Sequence, residues 1–123
     1  MAKILVVDDA RFMRMMLSGI LSEDGHEVVG QGENAKMAIE QYSSLKPDIM
    51  TLDIIMPEID GINSVHAIKE ILAHDQNAKI IVVSAMGQKD IMVECLQAGV
   101  KDFIVKPFQP EKVKATVQRI LAK

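Results

Sequence analysis

The chain has a single cysteine and no tryptophan, and aromatic residues make up only 3% of its 123 positions. One cysteine excludes an internal disulfide framework and fits a reducing cytoplasm. Cys95 lies among Ile91, Met92, Leu96 and Ala98, where a thiol serves as a small hydrophobe. Tyr42 is the only tyrosine, which leaves little to stack on a flavin ring. No apolar run approaches the ~20 residues of a membrane span, and the N-terminus lacks the pattern of a signal peptide. Basic charge is not in excess either. The net charge of -3 gives no electrostatic basis for binding nucleic acid.

What is present is a chain 49% hydrophobic and 25% charged, long enough for one domain with one sizeable core. Short apolar runs alternate with helical periodicity. Ile4–Val7 reads as a strand buried on both faces. Met13, Met16, Leu17 and Ile20 recur at helical spacing, closed by Gly25. Glu27–Gly30 is a weaker strand, and Asn34 is a fair N-cap for a helix carrying Ala35, Ala38, Ile39 and Tyr42. Pro47 stops that helix before the strand Ile49–Leu52. A Pro- and Gly-containing loop, Met56–Gly61, leads to a helix with Val65, Ile68, Ile71 and Leu72 on one face. Ile80–Val83 is the fourth strand. The fourth helix runs from Lys89 to Ala98 with Gly99 as its cap. Phe103–Val105 is the fifth strand. The last helix opens at Gln109-Pro110 and carries Val113, Val117, Ile120 and Leu121. Five βα units predict an α/β fold: a five-stranded parallel sheet, doubly wound, with helices on both faces. The common strand order is 2-1-3-4-5 (the flavodoxin-like order), with ligands bound beyond the C-terminal strand ends, between strands 1 and 3. The chain stops after the fifth helix, so residues 1–123 are expected to be one domain with no output domain.

Four of these strands end in a polar group: Asp8-Asp9, Asp53, Ser84 and Lys106. In a parallel sheet they meet on one edge. Two carboxylates at ~4 Å repel by about 4 kcal/mol at an effective dielectric of 20, so a cation is needed. Oxygen ligands from carboxylates, completed by water and phosphate oxygens, suit Mg²⁺, with Mn²⁺ as a substitute. Lys106 supplies a second positive charge and Ser84 a hydroxyl donor. This is the equipment of phosphoryl transfer. Asp53, directly at a strand end, is the expected nucleophile, and Asp8 and Asp9 the expected metal ligands. Asp9 also suits a helix N-cap.

Val7-Asp8-Asp9, Asp53 with Met56-Pro57-Glu58-Ile59-Asp60-Gly61, Ser84-Ala85 and Lys106-Pro107-Phe108 together resemble the receiver domain of two-component response regulators over essentially the full length. The segment Asp9–Arg14 resembles most the single-domain chemotaxis regulators. The resemblance implies that Asp53 accepts a phosphoryl group from a phosphohistidine on a histidine kinase. It implies Mg²⁺ held by Asp9, Asp53 and the Ile55 backbone carbonyl, and by Asp8 through water. Ser84 and Lys106 would contact the phosphoryl oxygens, and the Lys106–Pro107 peptide would be cis. Phe103 takes the family's aromatic switch position: Ser84 moves toward the phosphate, Phe103 turns inward, and the surface of the fourth helix, fifth strand and fifth helix repacks. Implied partners are a chemotaxis-type kinase, a flagellar motor switch protein or another phospho-dependent target, and a phosphatase, with the protein a cytoplasmic monomer. It would be a phosphoacceptor switch, not an enzyme acting on a separate metabolite. The alternative is a phosphorelay intermediate or stand-alone regulator of another pathway. Ile55 and Met86, two residues after Asp53 and Ser84, are apolar where the family tunes phosphate loss. They are expected to shield the phosphoryl group.

Several features compete. Gly30-Gln31-Gly32-Glu33-Asn34-Ala35 matches a dinucleotide-binding pattern. However, Glu33 would face a pyrophosphate, and the match follows strand 2, away from the switch point; two turn glycines before an N-cap suffice. A haloacid-dehalogenase phosphatase needs a second acid two residues after Asp53, where Ile55 stands. Met13 and Met16 are expected to pack into the core. His26, His66 and His74 lack metal spacing and read as solvated surface histidines. Lys112, Lys114, Arg119 and Lys123 make the last helix basic, as a solvated face or as a docking surface for an acidic partner.

Overall fold

The structure is a computed structural model, described here for residues 1–85 and 87–122. Its elements run β1 (Lys3–Val7), α1 (Arg11–Glu23), β2 (Glu27–Gly32), α2 (Ala35–Leu45), β3 (Ile49–Asp53), α3 (Ser64–His74), β4 (Ile80–Ala85), α4 (Lys89–Ala98), β5 (Asp102–Lys106) and α5 (Pro110–Leu121). The five strands are parallel, in the order β2-β1-β3-β4-β5. The expected α/β architecture and strand order are both present.

Alternation along the strands divides the core. Leu5, Val7, Met50, Leu52, Ile80 and Val82 face one way, toward Ala38, Ile68, Ile71 and Cys95 of α2, α3 and α4. Ile4, Val6, Ile49, Ile81, Val83 and Ile104 face the other, toward Leu17 and Leu21 of α1 and Val113, Val117 and Ile120 of α5. Because β1, β3 and β4 are covered on both faces, they read as unbroken apolar runs. Burying each such Leu or Ile is worth roughly 1.5–3 kcal/mol. Cys95 is fully buried, and that burial pushes its thiol up to about 11.

Local signals set the helix ends. The Asn34 side chain accepts from the Met37 amide at 2.8 Å, and Pro110 opens α5. Gly99 closes α4 at φ +119°, a conformation L side chains rarely adopt. Asn63, not singled out in the sequence, caps α3 by accepting from the His66 amide at 2.9 Å. Its signal was there: Asn directly before an apolar helical stripe.

Four expectations need correction. Met16 is 37% exposed; the apolar stripe of α1 is carried by Leu17 and Leu21, with Met13 and Ile20 half-buried. Asp9 does not cap α1, whose N-cap position is Ala10 with no side-chain bond. His26 is not solvated. Its side chain is 7% exposed and its Nδ1 accepts from the Ala2 amide at 3.1 Å. Gly30 and Gly32 are strand residues of β2, not turn residues. A Cβ on Gly30 would lie 2.6 Å from Leu45 Cδ1 and 2.8 Å from Gln41 Oε1. The glycine therefore admits α2 against the sheet, and no phosphate-binding loop forms there.

Candidate functional site

Parallel register brings the strand-end groups to one edge. Val7 pairs with Leu52, so Asp8 and Asp53 emerge side by side. Asp53 pairs with Val83 and Ala85 with Lys106, which adds Ser84 and Lys106 to the same edge. One carboxylate oxygen from each of Asp8, Asp9 and Asp53 lies within 4.8 Å of the others. Asp8 and Asp53 are buried and Asp9 is exposed.

Each buried carboxylate is held in place. Asp8 Oδ1 accepts from the Ala10 amide at 2.9 Å, and the Asp8 carbonyl accepts from Arg14 Nη1 at 2.7 Å. Asp53 Oδ1 accepts from the Ile55 amide at 3.1 Å. The buried Ser64 hydroxyl, in the first turn of α3, donates to the Asp53 carbonyl at 2.7 Å. Lys106 Nζ reaches across to Asp8 Oδ2 at 2.9 Å and Asp53 Oδ2 at 3.4 Å. The peptide that follows it, Lys106–Pro107, is cis.

The charges act on one another. Burial pushes the Asp53 carboxyl above its ordinary value, and the Asp8 charge adds to this against the pull of the Ile55 amide and Lys106. Burial pulls the Lys106 ammonium down, but its bond to Asp8 and the charges of Asp53 and Asp8 outweigh that, so its value is raised. When all three acids are ionised, one ammonium leaves two negative charges uncompensated. A hard donor set of carboxylate oxygens with that residual charge fits Mg²⁺.

Ser84 is fully buried, and its Oγ has no hydrogen-bond partner among the described residues. Phe103 is half-buried against the core beneath α4. The register pairs Val82 with Phe103 and Ser84 with Val105, so Ser84 and Phe103 share a face, one side-chain step apart on adjacent strands. Ile55 is 47% exposed beside Asp53. Met86 lies outside the described residues. The basic residues of α5 are partly paired within the chain: Arg119 with Asp102, and Lys114 with Glu23 at 3.5 Å. Lys123 lies outside the described residues.

Residues 4–118 match the family model of the response regulator receiver domain. The chain belongs to that family. It is a response regulator of two-component signalling. It is 54% identical to the chemotaxis protein CheY of Thermotoga maritima, over 96% of both chains. It is 50% identical to the chemotaxis protein CheY of Bacillus subtilis, over 97% of both. Among solved structures it resembles CheY of Borrelia burgdorferi in a CheX-CheY-BeF3-Mg²⁺ complex. That match has a TM-score of 0.90 at 32% identity and covers 98% of this chain and 90% of that one. NtrX of Brucella abortus matches at a TM-score of 0.90 and 29% identity, but this chain spans only 27% of its length. No helix among the described residues is long and apolar enough to cross a membrane.

Proposed function

We propose that Asp53 accepts a phosphoryl group from a phosphohistidine on a histidine kinase, and that the chain is a single-domain switch in chemotaxis. The observation that carries this is Lys106 bridging the Asp8 and Asp53 carboxylates beside a buried Ser84 hydroxyl that has no partner among the described residues. In this reading Asp8, Asp9, Asp53 and the Ile55 carbonyl hold Mg²⁺, with Mn²⁺ as a substitute. The ion supplies charge for the phosphoryl oxygens. Asp53 offers its carboxylate as nucleophile, with the Ile55 amide and Lys106 favouring its ionised form against its burial. Lys106 then turns from the acids to the phosphoryl oxygens. Ser84 donates its hydroxyl to the same group.

Phosphorylation adds charge and acceptor oxygens at one edge of the sheet. Movement of Ser84 toward them vacates space on the face it shares with Phe103, and Phe103 fills it. The α4, β5 and α5 surface changes as a result, and a flagellar motor switch protein or similar target reads the change. The similarity to CheY chains over nearly their whole length supports the chemotaxis pathway. The solved relative named with CheX, BeF3 and Mg²⁺ supports Mg²⁺ binding and a further protein partner. The protein makes and breaks its own aspartyl phosphate and acts on no separate metabolite.

The test is mass spectrometry after treatment with acetyl phosphate and Mg²⁺. A phosphoryl adduct is expected on the wild type and is absent from Asp53→Asn. An adduct that persists in the variant overturns the assignment.

A further inference from the structure

Arg14 stands in the first turn of α1 and reaches back over the acidic loop. Its Nη1 donates to the Asp8 carbonyl at 2.7 Å. Asp8 is thereby held at every polar group: its amide donates to Gly32 of β2 at 3.0 Å, and its carboxylate is held by the Ala10 amide and Lys106. Asp9 is different. It is exposed, and no described residue forms a hydrogen bond or ion pair with its carboxylate. Its place beside Asp8 and Asp53 is inherited from the backbone of the turn, which the Arg14 bond fixes at the peptide joining Asp8 to Asp9.

We propose that Arg14 is a positioning residue for the metal site, acting through the Asp8–Asp9 peptide; this rests on the Mg²⁺ reading above. The sign of its effect separates this role from electrostatics. A guanidinium anchored on Asp8 repels a divalent cation, so a purely electrostatic Arg14 weakens Mg²⁺ binding and its removal tightens it. A positioning Arg14 does the reverse. Without its bond the turn loosens, Asp9 samples other directions, and Mg²⁺ binds more weakly. Support of this kind around a metal site is worth about tenfold or more in affinity.

The test compares Mg²⁺ affinity by calorimetric titration in the wild type, Arg14→Ala, Arg14→Met and Asp9→Asn. Arg14→Met keeps the apolar stem that covers the turn and carries the test if Arg14→Ala does not fold. The dissociation constant is expected to rise about tenfold in both Arg14 variants, with metal-free melting close to wild type. Phosphorylation by acetyl phosphate should then need proportionally more Mg²⁺ yet reach the wild-type rate at saturation. Affinity that is unchanged or tighter overturns the proposal, as does a rate that stays low at saturating Mg²⁺. If the wild type binds no Mg²⁺, or Asp9→Asn binds it as tightly, the metal-site reading itself fails and takes the proposal with it.

Discussion

Lys106 Nζ lies 2.9 Å from Asp8 Oδ2, joining the ends of β5 and β1, which are separated in the sheet by β3 and β4. The bond spans the edge that carries the strand-end acids and passes Asp53 on the way, at 3.4 Å. Asp8 is 1% exposed and Lys106 21%, so this is a largely buried contact. Removing the lysine leaves two buried carboxylates without their cation, at a cost on the order of 2–3 kcal/mol. Lys106→Met is therefore expected to melt well below wild type in metal-free buffer. Mg²⁺ should restore more stability to the variant than to the wild type, because it replaces the lost charge. The raised Lys106 value sets the pH window. Its stabilisation is complete below the ordinary lysine value of 10.5 and is lost as pH rises through the higher folded value. The variant should show no such alkaline loss. Melting curves with and without Mg²⁺ decide; equal Mg²⁺ responses would count against the bridge.

Asp53 carries the opposite sign. Its folded value lies above 3.8 because the carboxyl is buried beside Asp8. Ionisation therefore opposes folding, and the penalty is present at neutral pH. It fades as pH falls through the folded value toward the ordinary one. Asp53→Asn is expected to be more stable than wild type at pH 7 without metal, with a higher melting temperature. The advantage should vanish below pH 3.8, where the acid is protonated in both states. Millimolar Mg²⁺ should shrink it at pH 7, since the ion stabilises only the charged site. A variant less stable than wild type at pH 7 would contradict the burial argument.

The Ser84 hydroxyl is buried and has no hydrogen-bond partner among the described residues. Losing an unsatisfied polar group costs nothing and relieves its desolvation. Ser84→Ala is thus expected to be as stable as wild type, or up to about 1 kcal/mol more so. The deficit should show only after phosphorylation. Amide shifts at Phe103 on adding acetyl phosphate and Mg²⁺ should be large in wild type and small in the variant. A variant destabilised by more than about 1 kcal/mol would mean that the hydroxyl has a partner already.

Strand-end acids were legible in the sequence because parallel sheets convert sequence position into spatial position. Every strand ends on the same edge, so Asp8, Asp53, Ser84 and Lys106 could be grouped without knowing a single contact. Faces of helices were less legible. Met16 looks like core by spacing yet is 37% exposed, because α1 needs only Leu17 and Leu21 to meet the sheet. Gly30 misled in another way. Its missing side chain makes room for Leu45 and Gln41 of α2, a long-range reason that no local motif contains. The Arg14 and Ser64 bonds were likewise invisible, since both end on backbone carbonyls that carry no sequence signature.

Ile55 is 47% exposed, two residues beyond Asp53, and its amide holds Asp53 Oδ1 at 3.1 Å. The backbone thus fixes the carboxylate while the side chain stands at the mouth of the site. An aspartyl phosphate is lost when water attacks in line with the leaving carboxylate, and an apolar side chain there offers no hydrogen bond to orient that water. Ile55→Asn keeps the amide and adds a donor and an acceptor on a smaller side chain. Dephosphorylation is expected to speed up by roughly fivefold, equivalent to about 1 kcal/mol off the barrier. Stability should change little because the position is half in solvent. The rate is read by following loss of the phosphoryl adduct by mass spectrometry after the phosphodonor is removed. An unchanged rate would show that the water is excluded by something other than this side chain.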